Sequence, residues 1–295
     1  MAQAQPQDYP ITPRRDLDFE FEKVPRFWFG GDPFKTRFFD AMSMLFPEGE
    51  KFFIECVRDY RDQVTDPELK QQIKDFMLQE GQHGMVHTRF NDRLKDQSIE
   101  VDRILEYQVK VLGNYRKKTP KWFTLSMTAS AEHMTAIMAH SFMERSDIFA
   151  EADPRIRAMY LWHGVEEIEH KAVAFDVLKK VAKANYFQRI SGLLWETLMF
   201  PMHTFIIMHH MLKADGIKSP FKVWLKGLWW LYGPGGLYMR LMPHYLAFYL
   251  PGFHPWKFGQ TQKMKTWLQH FERHGDPIAA SEQVMQANDS VPATT

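Results

Sequence analysis

Apolar residues recur with a helical period along four long stretches, and on each stretch the apolar stripe is interrupted by ionisable side chains. From Lys35 to about Arg61 the stripe reads Phe39, Phe46, Glu50, Phe53 and Val57, and from Pro67 to about Leu94 it reads Ile73, Phe76, Glu80, His83, His87, Phe90 and Leu94. From Lys121 to about Phe149 it reads Leu125, Thr128, Glu132, Ala136, Ala139 and Met143. The fourth stretch follows Asp153-Pro154 and is read as one helix through Asp176, with His163, Glu167 and His170 at i, i+4 and i+7 between Ile156, Tyr160, Ala174 and Val177. At 3.6 residues per turn these residues share one face, so the pattern predicts four helices. Thr65-Asp66-Pro67-Glu68 has the form of a capping box, and Asp153-Pro154 that of an N-cap and first-turn proline. Pro47 and Gly49 predict a kink or split in the first helix. No alternating run bounded by hairpin turns interrupts the series, and the class is all-α.

The interrupted stripes carry the chemistry. Burying a carboxylate or imidazole without a partner costs several kcal/mol, so these faces require a shared counter-charge, and a metal ion is the simplest one. In order, the inward groups form a duplication: Glu50 then Glu80-x-x-His83, and Glu132 then Glu167-x-x-His170. Separations of 30 and 35 residues within the halves suit antiparallel helix pairs, and the 52 residues between Glu80 and Glu132 suit a long crossover. One Glu from each of two helices, with Glu-x-x-His from each of two others, is the ligand set of a carboxylate-bridged two-metal site in a helical bundle. His87, one turn beyond His83, is read as an extra ligand, a partner of a ligand, or a core histidine. His133 adjoins Glu132 but points about 100° away, and is read as packing or as a partner of a ligand. Glu166 and Glu169 are read as solvated or paired, with Glu166 able to orient a neighbouring imidazole.

The pattern resembles the ferritin-like di-iron superfamily, which implies a four-helix bundle with additional C-terminal helices. Trp28-Phe29-Gly30-Gly31-Asp32-Pro33, the Phe46 to Phe53 segment and Trp162-His163-x-x-Glu166-Glu167-x-Glu169-His170-Lys171 resemble the bacterial family labelled "predicted metal-dependent hydrolase" over residues 12 to 260. The His-x-x-x-Glu-x-x-His of the fourth helix is similar to the last ligand helix of the di-iron arylamine N-oxygenases, where the additional histidine also binds iron. Carried over by position, that resemblance implies Glu50, Glu80, His83, Glu132, His163, Glu167 and His170 as ligands.

Oxygen and nitrogen donors without thiolates suit two iron ions, with manganese or zinc as alternatives. The expectation drawn from this set is a non-heme di-iron oxygenase or oxidase with dioxygen as co-substrate, an electron donor as partner and a hydrophobic small molecule as substrate. The alternatives are a hydrolase that activates water at two metals and a non-catalytic storage protein.

Composition sharpens the picture at the ends of the chain. The net charge is +1 and no basic block interleaves with aromatics, so nucleic acid is not an expected partner. Cys56 is the sole cysteine, which excludes an intrachain disulfide and suits a reducing cytoplasm. No apolar leader opens the N-terminus. Residues 1–34 read as an irregular arm, 35–184 as the metal-binding bundle, 185–274 as an aromatic-rich helical section and 275–295 as a disordered tail. Within the third region, Ile190 to Leu212 is apolar enough to span a membrane but holds Glu196, Pro201 and three histidines. Tryptophans and tyrosines among Lys222, Lys226 and Arg240 suit a membrane interface, so peripheral contact with the inner face of the membrane is expected, with an aromatic packing layer or a homodimer contact as the alternative uses of such a face.

Overall fold

A computed structural model describes residues 10–217, 220–257 and 261–289. Its helices are α1 (Pro33–Arg58), α2 (Pro67–Asp92), α3 (Val101–Lys118), α4 (Lys121–Glu144), α5 (Ser146–Phe149), α6 (Pro154–His170), α7 (Val173–Asp176), α8 (Tyr186–Ala214), α9 (Pro220–Tyr232), α10 (Leu237–Ala247), α11 (Gln262–His274) and α12 (Pro277–Asp289). The class is all-α, and the only extended pairing among the described residues is an isolated bridge between Phe29 and Ala152. The centre is a bundle in which α1 packs on α2, α4 packs on α6, and α1 meets α4. The crossover between the two pairs contains α3, which lies along α1, while α8 covers α4 and α1.

Three of the bundle helices start in the same way. Asp32, Asp66 and Asp153 each accept hydrogen bonds from first-turn backbone N–H groups, and each precedes a proline at the first helical position. The cap of α2 is therefore Asp66 rather than Thr65, because the residue before a proline is driven into the extended conformation that an N-cap needs. Pro47 does not split α1, which is continuous. A proline has no N–H to give the carbonyl four residues back, here Ser43, and that carbonyl accepts instead from Asn91 Nδ2 of α2 at 2.9 Å. α4 is buried on nearly all sides because α6 and α8 both cover it.

Two further expectations are corrected. The fourth helix does not run through Asp176: α6 ends at His170, and the following turn lays the Lys171 ammonium 4.4 Å from the centre of the Trp256 ring. Residues 277–289 of the expected disordered tail form α12, while 290–295 lie outside the described residues. The polar composition hides a short apolar stripe. Ala280 and Val284 are buried against the bundle and Ser281 accepts from Trp267 Nε1, while Asp276 caps the first turn.

The N-terminal arm is woven into the core. Trp28 and Phe29 are buried, and Trp28 Nε1 donates to Asp40 at 3.0 Å. Gly30 and Gly31 turn the chain at φ of 56° and 76°, and a Cβ on Gly30 would stand 2.9 Å from Glu151 Cβ. The Trp28–Pro33 motif is thus a structural clasp. α8 is long and apolar enough by composition to cross a membrane. One face of it packs on the bundle, and the other exposes Phe187, Leu194, Leu198, Met202 and Ile206.

Candidate metal centre

The four bundle helices bring all seven sequence-derived residues into one buried cluster. Glu50 comes from α1, Glu80 and His83 from α2, Glu132 from α4, and His163, Glu167 and His170 from α6. Their ligand atoms gather in three overlapping groups, each within 4.8 Å: Glu50, His83 and His163; Glu80, Glu132 and His170; and Glu80, His83 and Glu167. Each of the first two groups could hold an ion, and Glu80 and Glu167 of the third group lie between them.

The hydrogen-bond pattern determines which nitrogen of each imidazole faces inward. His83 Nε2 donates to Glu166 Oε2 at 3.0 Å, leaving Nδ1 towards Glu80 and Glu167. His170 Nδ1 lies 2.8 Å from Gln79 Oε1. The amide of Gln79 is oriented by its Nε2, which donates to Glu169 and to the Thr12 carbonyl, so His170 Nδ1 is the donor and Nε2 turns inward. A longer chain settles His163. Asn91 Nδ2 donates to the Ser43 carbonyl, so Asn91 Oδ1 accepts from Ser43 Oγ. Ser43 Oγ must then accept from His87 Nδ1, at 2.8 Å, and His87 Nε2 accepts from His163 Nδ1, at 2.7 Å. The remaining nitrogen of His163, Nε2, faces Glu167 Oε1 at 3.0 Å.

Three imidazoles therefore point lone pairs at carboxylates. Glu167 Oε1 lies 3.0 Å from His163 Nε2, 3.4 Å from His170 Nε2 and 3.6 Å from His83 Nδ1, while its other oxygen accepts from Thr135 Oγ1. Both oxygens of Glu50, Glu80 and Glu132, together with His83 Nδ1 and His170 Nε2, are buried without a hydrogen-bond partner. Acceptors crowded against acceptors need positive charge between them. Protons supply it when nothing else does. Burial would lower His83, but contacts with Glu166 and Glu80 raise it to about 10. Burial likewise opposes His170, yet Glu167 and Glu132 hold it well above the usual imidazole range. Burial, reinforced by neighbouring carboxylates, pushes Glu132 up to about 8 and Glu50 well above the usual carboxylate range. Glu167 is held well below that range, against burial, by His170 and His163. Metal cations displace such protons.

An outer layer was only partly visible from residue pattern. Arg14 of the N-terminal arm donates to Glu166 at 3.0 Å and to Glu169 at 2.7 Å. Glu166 backs His83 directly, and Glu169 backs His170 through Gln79. Arg14 and Gln79 carried no sequence signal, one being in an irregular arm and the other an ordinary polar neighbour of Glu80. His87 stands behind His163 and outside the three ligand groups. His133 packs on Phe248 and Phe253, where burial pulls it down to about 3.

Fold and site together define an all-α bundle protein with a carboxylate and histidine cage suited to metal ions, compatible with the ferritin-like di-iron pattern. The chain belongs to the family described as "Predicted metal-dependent hydrolase", which matches residues 13–259. Searches of curated proteins and of solved structures gave no significant match. The family description overturns the oxidoreductase expectation: the class it names is hydrolase, the alternative drawn from the same ligand set.

Proposed function

We propose that this protein is a hydrolase working through a two-ion centre, in which Glu50, His83 and His163 would hold one ion and Glu80, Glu132 and His170 the other, with Glu167 beside both groups. The observation that supports this most is the set of three imidazoles whose N–H groups are tied outward while their lone pairs converge on carboxylates. The donors are oxygen and nitrogen only, which suits divalent iron, manganese or zinc. Bound ions would supply Lewis-acid activation of water and of the scissile group.

The chain's own residues do the rest. Thr135 Oγ1 donates to Glu167 Oε2 and leaves Oε1 to the centre. Glu166, Gln79 and His87 fix the three rings, so little reorganisation is needed when substrate arrives. Glu50 and Thr135 border an apolar slot and are the side of the centre that a substrate meets. Hydrolysis consumes water and needs neither dioxygen nor an electron donor.

The test is turnover of a panel of amides, carboxylic esters and phosphoesters by metal-loaded protein under anaerobic conditions. Cleavage that a chelator abolishes and manganese or zinc restores is the expected result. No cleavage of any bond class, with ions bound, would contradict the reading.

Peripheral membrane contact belongs to the same proposal. Outward apolar residues of α8, α9 and α10, such as Leu198, Phe221, Trp229 and Leu246, lie in the same section as exposed Lys222 and Arg240, a composition suited to an anionic lipid surface. Cosedimentation with vesicles containing phosphatidylserine should exceed that with neutral vesicles, and equal recovery in the supernatant from both would count against it.

A further inference from the structure

The slot beside the centre has a shape and lining that restrict what can enter it. Four helices line its length, each with four to six residues spread over a nine-residue span: 45–53 of α1, 107–115 of α3, 127–135 of α4 and 195–203 of α8. At 1.5 Å per residue each wall runs for about 12 Å. The cavity is about 110 Å³ and its surface is overwhelmingly apolar, with Ala131, Trp195 and Met199 among the lining residues. Glu50 and Thr135 form the wall it shares with the metal cage.

Several lining side chains carry polar atoms but present little polar surface to the slot, and one of them is informative. Gln108 is 6% exposed, and its Nε2 donates to the Met44 carbonyl at 2.9 Å, which fixes the amide and leaves Oε1 buried without a partner. An unpaired buried carbonyl is a costly feature that a ligand N–H or O–H would satisfy. Glu196 also lines the slot, and burial alone pushes its carboxyl up to about 8, so at neutral pH it adds little charge to repel an apolar guest.

We propose that the slot is the substrate site and that it takes amides of medium-length apolar carboxylic acids, the chain lying between α3 and α8 and the amide N–H donating to Gln108 Oε1. The proposal rests on the hydrolytic reading of the centre. In the reaction the oxygen of water adds to the carbonyl carbon, the C–N bond breaks with its electron pair going to nitrogen, and nitrogen takes up the proton. Acid and amine are the products, and no oxidant is involved.

Binding tests this without turnover. Hexanamide, octanamide and decanamide are titrated into the purified full chain by calorimetry, with methyl octanoate as a probe that has no donor. Each added methylene should tighten binding about fourfold until the slot is full. Octanamide should bind several-fold more tightly than methyl octanoate, and Gln108→Leu should erase that preference. Met199→Trp fills the slot and should abolish octanamide binding, and Ala131→Leu should weaken it, with helicity and metal content unchanged in both. Affinity independent of chain length would overturn the proposal, as would undiminished binding to a folded Met199→Trp variant. Graded binding without cleavage would support the slot while counting against hydrolysis. Cleavage of small soluble amides with no chain-length dependence would leave hydrolysis standing and overturn the slot.

Discussion

The two halves of the bundle begin as copies and end as unequal partners. In each, a Glu-x-x-His presents its carboxylate and imidazole to the centre, and in each the residue immediately before that glutamate reaches across to the other half's histidine: Gln79 to His170, and Glu166 to His83. The crossing means that neither histidine is oriented by its own helix, so the cage exists only when both halves are packed. The copies differ in what they add. Four residues before Glu167 stands His163, whereas four before Glu80 stands Phe76, whose ring meets His170 edge-on at 4.9 Å. Four residues after His83 stands His87, which holds His163, whereas four after His170 stands Ala174. One ligand group thus gains an extra imidazole and borders the slot through Glu50, while the other is closed by an aromatic ring. The repeated pattern builds a symmetric cage, and the residues that differ give it an open side and a closed side.

The largest effect should come from removing a group that both halves depend on. Glu80→Ala takes away a carboxylate shared by the two positions, and elemental analysis of the folded variant should find both ions lost. Full occupancy would break the two-position account. His163→Phe makes the second half resemble the first and should reduce the content from about two ions to about one, leaving Glu80, Glu132 and His170 occupied. Unchanged stoichiometry would remove His163 from the ligand set.

Exchanging the outer partners sharpens the comparison more gently. Glu166→Gln should weaken ion binding about 10- to 100-fold without unfolding the bundle, as loss of a ligand's orienting partner does elsewhere. Arg14→Gln should act in the same direction, because Arg14 joins Glu166 and Glu169. Competition with a chromophoric chelator measures both.

The smallest effect concerns Glu196, a buried carboxyl outside either half. Its pKa is raised to about 8 by burial, so between the ordinary carboxylate value and that pH the folded chain holds a proton the unfolded chain has lost. Stability therefore falls as pH rises through this window, and Glu196→Gln should flatten the decline. Part of the side chain faces the slot, so the difference between pH 5 and pH 8 should be on the order of 1–2 kcal/mol, well below the full shift. Denaturant melts at both pH values test it, and parallel curves for the two proteins would contradict it.

Residue spacing revealed the bundle because its helices carry long apolar stripes, and the ligand faces because Glu50, Glu80, Glu132 and Glu167 interrupt those stripes where solvent could not reach them. Asp66-Pro67 and Asp153-Pro154 marked the starts of α2 and α6, since an aspartate caps the free N–H groups and the proline needs none, whereas Asp32-Pro33, the start of α1, reads equally as a turn. What spacing could not reveal is cross-helix partnership. Glu166 could be read as orienting a neighbouring imidazole but not which one, Gln79 looks like a surface neighbour until the halves pack, and Arg14 sits in an arm with no period. The end of α6 at His170 has no proline or glycine to announce it. α12 was masked because two apolar residues suffice to dock a short helix already capped by Asp276.

The most direct test of the central claim is elemental analysis of the purified wild-type chain, followed by thermal unfolding before and after chelation. The account predicts about two divalent first-row ions per chain and a lower melting temperature once they are removed, because the acceptors then face each other with only protons between them. A chain that purifies without bound ions, takes up none on addition of iron, manganese or zinc, and melts at the same temperature with or without chelator would contradict it.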